Sequence, residues 1–204
     1  GMSIQIQKIG IIGVGTMGAG IAQIAIQSGH DVILFDAKEG AAEEAQDKLA
    51  KTLNTLADKG KFSHEKAAED IAHLSIAQQL EDLKDCDLIV EAIIENLEIK
   101  QKLMQQLEDI VKPEAILASN TSSLSISAIA ANCSQPERVA GYHFFNPVPL
   151  MKVVEVIEGF NTRADIIEAL TQLSTKMGHR PVKAKDTPGF IINHAGRAFG
   201  SEAY

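Results

Sequence analysis

His143 is followed twelve residues later by Glu155, and each falls in its own short apolar run, 139–145 and 153–157. If the two runs pair as neighbouring strands, imidazole and carboxylate meet. A carboxylate beside an imidazole fixes its tautomer and favours its charged form, which suits a base that takes a hydroxyl proton near neutral pH. On spacing alone, a histidine between aromatics could equally be structural, and Glu155 could pair with any nearby base. Other polar residues follow similar runs. Glu95 and Lys100 come after 90–94, and Asn120, Thr121, Ser122 and Ser123 come after 116–119; Asn146 stands three residues past His143. In an open α/β sheet, ligands bind at the carboxyl ends of the strands, where all of these would lie. The serines could also cap a following helix, and Lys100 could be a solvated helix charge.

A second constellation lies near the N-terminus. Gly13-Val14-Gly15-Thr16-Met17-Gly18 follows the apolar run 8–12 and opens a small-residue helical pattern, 19–25. Another apolar run, 32–35, ends at Asp36, 23 residues after Gly13. Strand, glycine turn, helix, strand and acid together form the fingerprint of a dinucleotide site. Gly13 permits the tight turn, Gly15 lets the backbone approach a pyrophosphate, and Gly18 lets helix pack on strand. The helix N-terminus at Thr16 and Met17 offers N–H groups and a partial positive charge to phosphates. Asp36 can accept from ribose hydroxyls and would repel a 2′-phosphate, so NAD is expected over NADP.

The elements that must position these groups alternate in type. Helical patterns span 38–59, 63–71 with Ser63 as N-cap, 97–111, 125–131 and 164–177. Strand-like runs fall at 74–77, 87–94, 115–119, 139–145, 153–157 and about 181–184. Strands alternating with helices predict a Rossmann-type α/β fold, a doubly wound and mainly parallel sheet. Asp186-Thr187-Pro188-Gly189 reads as a turn opening a further helix that reaches Tyr204 without a cap. The expected organisation is therefore a dinucleotide-binding domain over 1–187 and the first helix of a truncated C-terminal helical domain over 188–204. Gly1 before Met2 reads as a residue left by tag cleavage.

Composition narrows the function further. With 204 residues the chain can bury a sizeable core. A net charge of −8 argues against a nucleic-acid or anionic-membrane surface. No apolar stretch approaches the roughly 20 residues of a membrane-spanning helix, and no secretory signal is visible, so a cytoplasmic protein is expected. Cys86 and Cys133 have neither metal-ligand nor redox spacing. They read as idle thiols, and no metal is expected.

Five collinear strings carry a resemblance. They are 90–97 (Val-Glu-Ala-Ile-Ile-Glu-Asn-Leu), 119–124 (Ser-Asn-Thr-Ser-Ser-Leu), 141–149 (Gly-Tyr-His-Phe-Phe-Asn-Pro-Val-Pro), 151–156 (Met-Lys-Val-Val-Glu-Val) and 185–193 (Lys-Asp-Thr-Pro-Gly-Phe-Ile-Ile-Asn). Together they resemble the L-3-hydroxyacyl-CoA dehydrogenases, in order and over nearly the whole chain; the segment 194–199 looks most like bacterial members. The resemblance implies NAD-dependent oxidation of an L-3-hydroxyacyl-CoA, as in fatty-acid β-oxidation. It implies that His143 is the base, that Glu155 orients it, that Ser122 bonds the substrate oxygen, and that Asn193 completes the polar ring around the reacting carbon. Glu95, Lys100, Asn120, Ser122 and Asn146 would line the cofactor site, and Thr52 and Lys59 would meet coenzyme A. The family's helical domain covers the substrate and forms a homodimer. Two other readings stay open: an NAD dehydrogenase of a free 3-hydroxy acid or sugar acid, and a dinucleotide-binding module without chemistry. Phe144-Phe145 and the 186–190 string favour the acyl-CoA reading over the former. The set His143, Glu155, Ser122 and Asn193 argues against the latter.

Overall fold

The computed structural model describes residues 3–186. Its strands are β1 (Lys8–Ile12), β2 (Asp31–Phe35), β3 (Leu74–Ile76), β4 (Leu88–Glu91), β5 (Ile116–Ser119), β6 (Val139–Phe144), β7 (Val153–Glu158) and β8 (Arg180–Lys185). Its helices are α1 (Thr16–Gln27), α2 (Ala41–Asp58), α3 (His64–Ile71), α4 (Leu97–Ile110), α5 (Ile126–Ile129) and α6 (Ala164–Lys176). All eight strands join one sheet in the order β3-β2-β1-β4-β5-β6-β7-β8. The first six are parallel; β7 runs antiparallel to β6, and β8 runs parallel to β7. The order reverses between β1 and β4, which opens a crevice at their carboxyl ends.

Alternation along the central strands builds two cores. Ile9, Ile11, Val32, Leu34, Leu88 and Val90 face α1, α2, α3 and α6. Ile12, Ile89, Leu117 and Val139 face α4 and α5 with Leu103, Leu107 and Ile126. A sheet covered on both faces needs such near-continuous apolar strands.

Local chemistry sets the element ends. Ser63 caps α3 by accepting Lys66 N–H, as its position predicts, and Asn96 caps α4 through Ile99 N–H. Ser125, rather than Ser122 or Ser123, caps α5, and Asp186 supports it by accepting the Ser125 hydroxyl and the Ser127 N–H. The strand expected over 87–94 is shorter. β4 stops at Glu91, opposite Ile12 of β1 and Ser119 of β5, where both neighbours end. Beyond Glu91 there is no ladder to extend, and the chain turns across the mouth of the crevice.

Among the described residues no helix is long and apolar enough to cross a membrane. Burial pushes the Cys86 thiol up to about 12 and the Cys133 thiol up to about 11. Both are therefore poor nucleophiles.

Candidate active site

The glycine turn is built by contacts that a side chain would break. Gly13 has φ +95°, a left-handed conformation that favours glycine. A Cβ at Gly18 would lie 1.8 Å from the Gly13 carbonyl oxygen, so helix and turn meet there only without a side chain. A Cβ at Gly15 would meet no protein atom within 4 Å. Its space opens into two cavities, one on each side of the turn. This is the cradle a pyrophosphate needs against the N-terminus of α1. Thr16 lines one of these cavities, and Met17 faces a third that holds His143.

Asp36 follows β2 beside this turn. Its Oδ2 accepts the Val14 N–H at 3.0 Å, and its Oδ1 accepts the Lys38 N–H at 2.8 Å. A carboxylate can accept more than two hydrogen bonds, so both oxygens keep capacity for ribose hydroxyls. Asp36 lines a cavity of about 620 Å³ with Phe35, Leu80, Ile94, Ile99 and Leu103. Those apolar walls suit a flat adenine base. The residues present fit a dinucleotide with its adenosine end at this cavity.

His143 and Glu155 are directly opposed on β6 and β7. The Nδ1–H of His143 donates to Glu155 Oε1 at 2.8 Å, which follows from the carboxylate's being an acceptor only. That leaves Nε2 as the acceptor of the ring. Phe145 lies against the ring with centroids 4.5 Å apart. His143 lines a cavity of about 380 Å³ with Met17, Glu95, Lys100, Asn120, Ser122 and Asn146. The residues expected to line the cofactor site at the β4, β5 and β6 ends thus meet the histidine in one cavity.

The loops around that cavity are tied together. Glu95 Oε2 accepts the Thr121 hydroxyl at 2.8 Å and the Ser122 N–H at 3.0 Å. Burial alone would raise the Glu95 carboxyl; the Thr121 hydroxyl, the Lys100 ammonium and the Ser122 N–H together hold it below the ordinary carboxylate value. Asn120 Oδ1 accepts the Phe144 N–H at 2.8 Å, which fixes the amide beside His143. Lys100 is not a solvated helix charge. It is 1% exposed and held by Glu91, which is 0% exposed. Residue types and spacing gave no notice of Glu91, because an acid in an apolar strand looks the same paired or unpaired.

Thr52 lines the same cavity as Thr16, between α1, α2 and the 146–149 loop, with Glu44 and Lys48. Lys59 is the C-cap residue of α2 and stands outside that lining. Asn193 lies outside the described residues. Among the described residues no cluster of three or more His, Cys, Asp or Glu could hold a metal ion.

Sheet order, glycine cradle and acidic strand end define a dinucleotide-binding domain, and an imidazole–carboxylate pair stands at its mouth. The chain belongs to the 3-hydroxyacyl-CoA dehydrogenase family and carries its NAD-binding domain, whose family model matches residues 8–187. It is 43% identical over 203 residues to 3-hydroxyadipyl-CoA dehydrogenase of Escherichia coli, covering 100% of this chain and 43% of that protein. It is 44% identical over 186 residues to 3-hydroxybutyryl-CoA dehydrogenase of Clostridioides difficile, covering 91% of this chain and 66% of that one. The crystal structure of 3-hydroxybutyryl-CoA dehydrogenase from E. coli matches with a TM-score of 0.89 at 43% identity, over 95% of this chain and 41% of that one. That from Ralstonia eutropha matches with a TM-score of 0.87 at 38% identity, over 93% and 67%. The chain thus spans from under half to about two thirds of the length of these curated relatives, 43% and 66%.

Proposed function

We propose that this chain is the NAD-binding part of an enzyme that reversibly oxidises an L-3-hydroxyacyl-CoA to the 3-oxoacyl-CoA. The observation that carries the reading is the His143–Glu155 pair, 2.8 Å apart, in a cavity shared with Ser122 and Lys100. NAD, when bound, supplies the hydride acceptor. Gly13, Gly15 and Gly18 shape its phosphate cradle, and Asp36 holds its ribose. His143 Nε2 takes the hydroxyl proton as the carbinol carbon is oxidised. Glu155 keeps the ring in the productive tautomer and stabilises the imidazolium. Ser122 offers a donor to the substrate oxygen, where charge changes during the reaction.

In this reading Asn193 joins His143 and Ser122 in the polar ring around the reacting carbon, and Thr52 and Lys59 contact coenzyme A. The NAD-binding domain in this reading runs over 1–187, and the segment from 188, which lies outside the described residues, belongs to a further domain that covers the substrate and forms a homodimer. The reading includes a cytoplasmic location for the enzyme.

The test follows NADH absorbance with acetoacetyl-CoA, using this chain beside a longer form extended to the full length of a relative such as the 3-hydroxybutyryl-CoA dehydrogenase of C. difficile. Rapid oxidation by the longer form establishes the reading. NADH binding without acyl-CoA turnover would move the free-acid or non-catalytic readings ahead.

A further inference from the structure

Glu91 ends β4 with no solvent exposure, yet the reaction above makes no use of it. Both of its oxygens lie 2.9 Å from Lys100 Nζ. Oε2 also accepts the Ile93 N–H at 3.1 Å, and Oε1 accepts the Ser119 hydroxyl. Ser119 Oγ in turn accepts the Thr121 N–H at 3.2 Å. One carboxylate therefore ties the turn after β4, the first turns of α4 and the turn after β5. Lys100 carries the tie onward, with Nζ 3.1 Å from Glu95 Oε1. A buried ion pair seldom adds stability over apolar residues of the same volume. Its use here is to hold groups in fixed places.

We propose that Glu91 is a positioning residue for the nicotinamide end of the site, setting the Lys100 ammonium and the 119–122 turn against the cavity of His143. The proposal rests on the NAD reading above. Lys100 and Ser122 line the His143 cavity and not the Asp36 cavity, whereas Ile93, which borders both, is held by Glu91 through its N–H alone, an acceptor role that a glutamine oxygen keeps. Loss of the Glu91 charge therefore disturbs a ligand that spans both cavities more than one that fills only the adenosine end.

The experiment titrates the chain and its Glu91→Gln variant with NADH, read by cofactor fluorescence, and with AMP, read by calorimetry. Glu91→Gln is expected to weaken NADH binding about tenfold, the scale of one charge-assisted hydrogen bond, and to change AMP binding by less than about twofold. Equal losses for both ligands would make Glu91 merely structural and overturn the proposal, as would unchanged NADH binding. Ser119→Ala guards against a variant that does not fold, because it keeps the Glu91–Lys100 pair and removes one strut. It is expected to weaken NADH binding alone, by about threefold; equal losses or no loss overturn the proposal again. Failure of the NAD reading looks different, since the unaltered chain would then bind neither ligand.

Discussion

His143 and Glu155 occupy opposed positions on the only antiparallel strand pair among the described residues, and their side chains meet at 2.8 Å. A glutamine at 155 keeps an acceptor oxygen for Nδ1–H but brings no charge to the imidazolium. Glu155→Gln in the longer enzyme is therefore expected to lower turnover about tenfold or more while the NADH dissociation constant stays put. Unchanged turnover would remove Glu155 from the mechanism.

His143→Ala tests the base itself. Positioned acid–base catalysis contributes roughly 10²–10⁴-fold, so turnover should fall by about that factor. NADH binding to the variant should persist, because the cradle and Asp36 are untouched. A parallel loss of NADH binding would mean that His143 serves the fold.

Two glycines of the turn should separate stability from binding. Gly18→Ala drives a Cβ to 1.8 Å from the Gly13 carbonyl oxygen, against backbone that cannot swing away. It is expected to destabilise the chain by about 3 kcal/mol or more, seen as a lower urea midpoint. Gly15→Ala meets nothing in the protein within 4 Å. It should leave the urea midpoint nearly unchanged and abolish most NADH binding. A folded Gly15→Ala protein with full affinity would mean that the cradle lies elsewhere.

Asp36→Ala removes the charged acceptor that the proposed reading sets against the ribose. Loss of one such hydrogen bond corresponds to about a tenfold weaker NADH complex. The preference for NADH over NADPH should narrow at the same time, because the repulsion of a 2′-phosphate is lost. Competitive titration with the two cofactors reads both effects, and an unaltered preference would clear Asp36 of that role.

Asp87 gives the chain a pH-dependent clasp far from the chemistry. Its Oδ2 accepts the N–H groups of Gln7 and Lys8, each at 2.9 Å, and Lys112 Nζ lies 2.6 Å from its Oδ1. Burial pushes this carboxyl up, but Lys112 and the two N–H groups outweigh it and hold it below the ordinary value. A folded-state value that is depressed contributes stability above the unfolded value and loses it as pH falls through the folded one. Asp87→Asn should cost about 1–2 kcal/mol at pH 7, and the gap to the unaltered chain should close below about pH 4. Urea unfolding at the two pH values measures it; a gap independent of pH would contradict the clasp.

Much of the candidate site was legible in the chain alone. Gly13, Gly15, Gly18 and Asp36 sit in one continuous strand–turn–helix–strand unit, where spacing along the chain is nearly spacing in space. Capping at Ser63 is equally local. His143 and Glu155 were readable only as a conditional pair, because strand adjacency is not written in either run. Thr52 lines the cavity beside the glycine turn and Lys59 stands outside that lining, since Lys59 lies about two turns further along, at the end of α2.

Local stereochemistry thus set the order of elements, the glycine cradle, the acid at the end of β2 and the types of residue available for proton transfer. Tertiary structure alone chose which strand ends converge. It stopped β4 at Glu91 because neither neighbour runs further, and it placed β7 antiparallel so that Glu155 faces His143. It also decided that Lys100 is a buried strut rather than a solvated charge. The physical reason is burial. Whether a charged side chain is wet or dry depends on what packs over it, and for Lys100 the partners Glu91 and Glu95 come from the end of a strand and the loop that follows it.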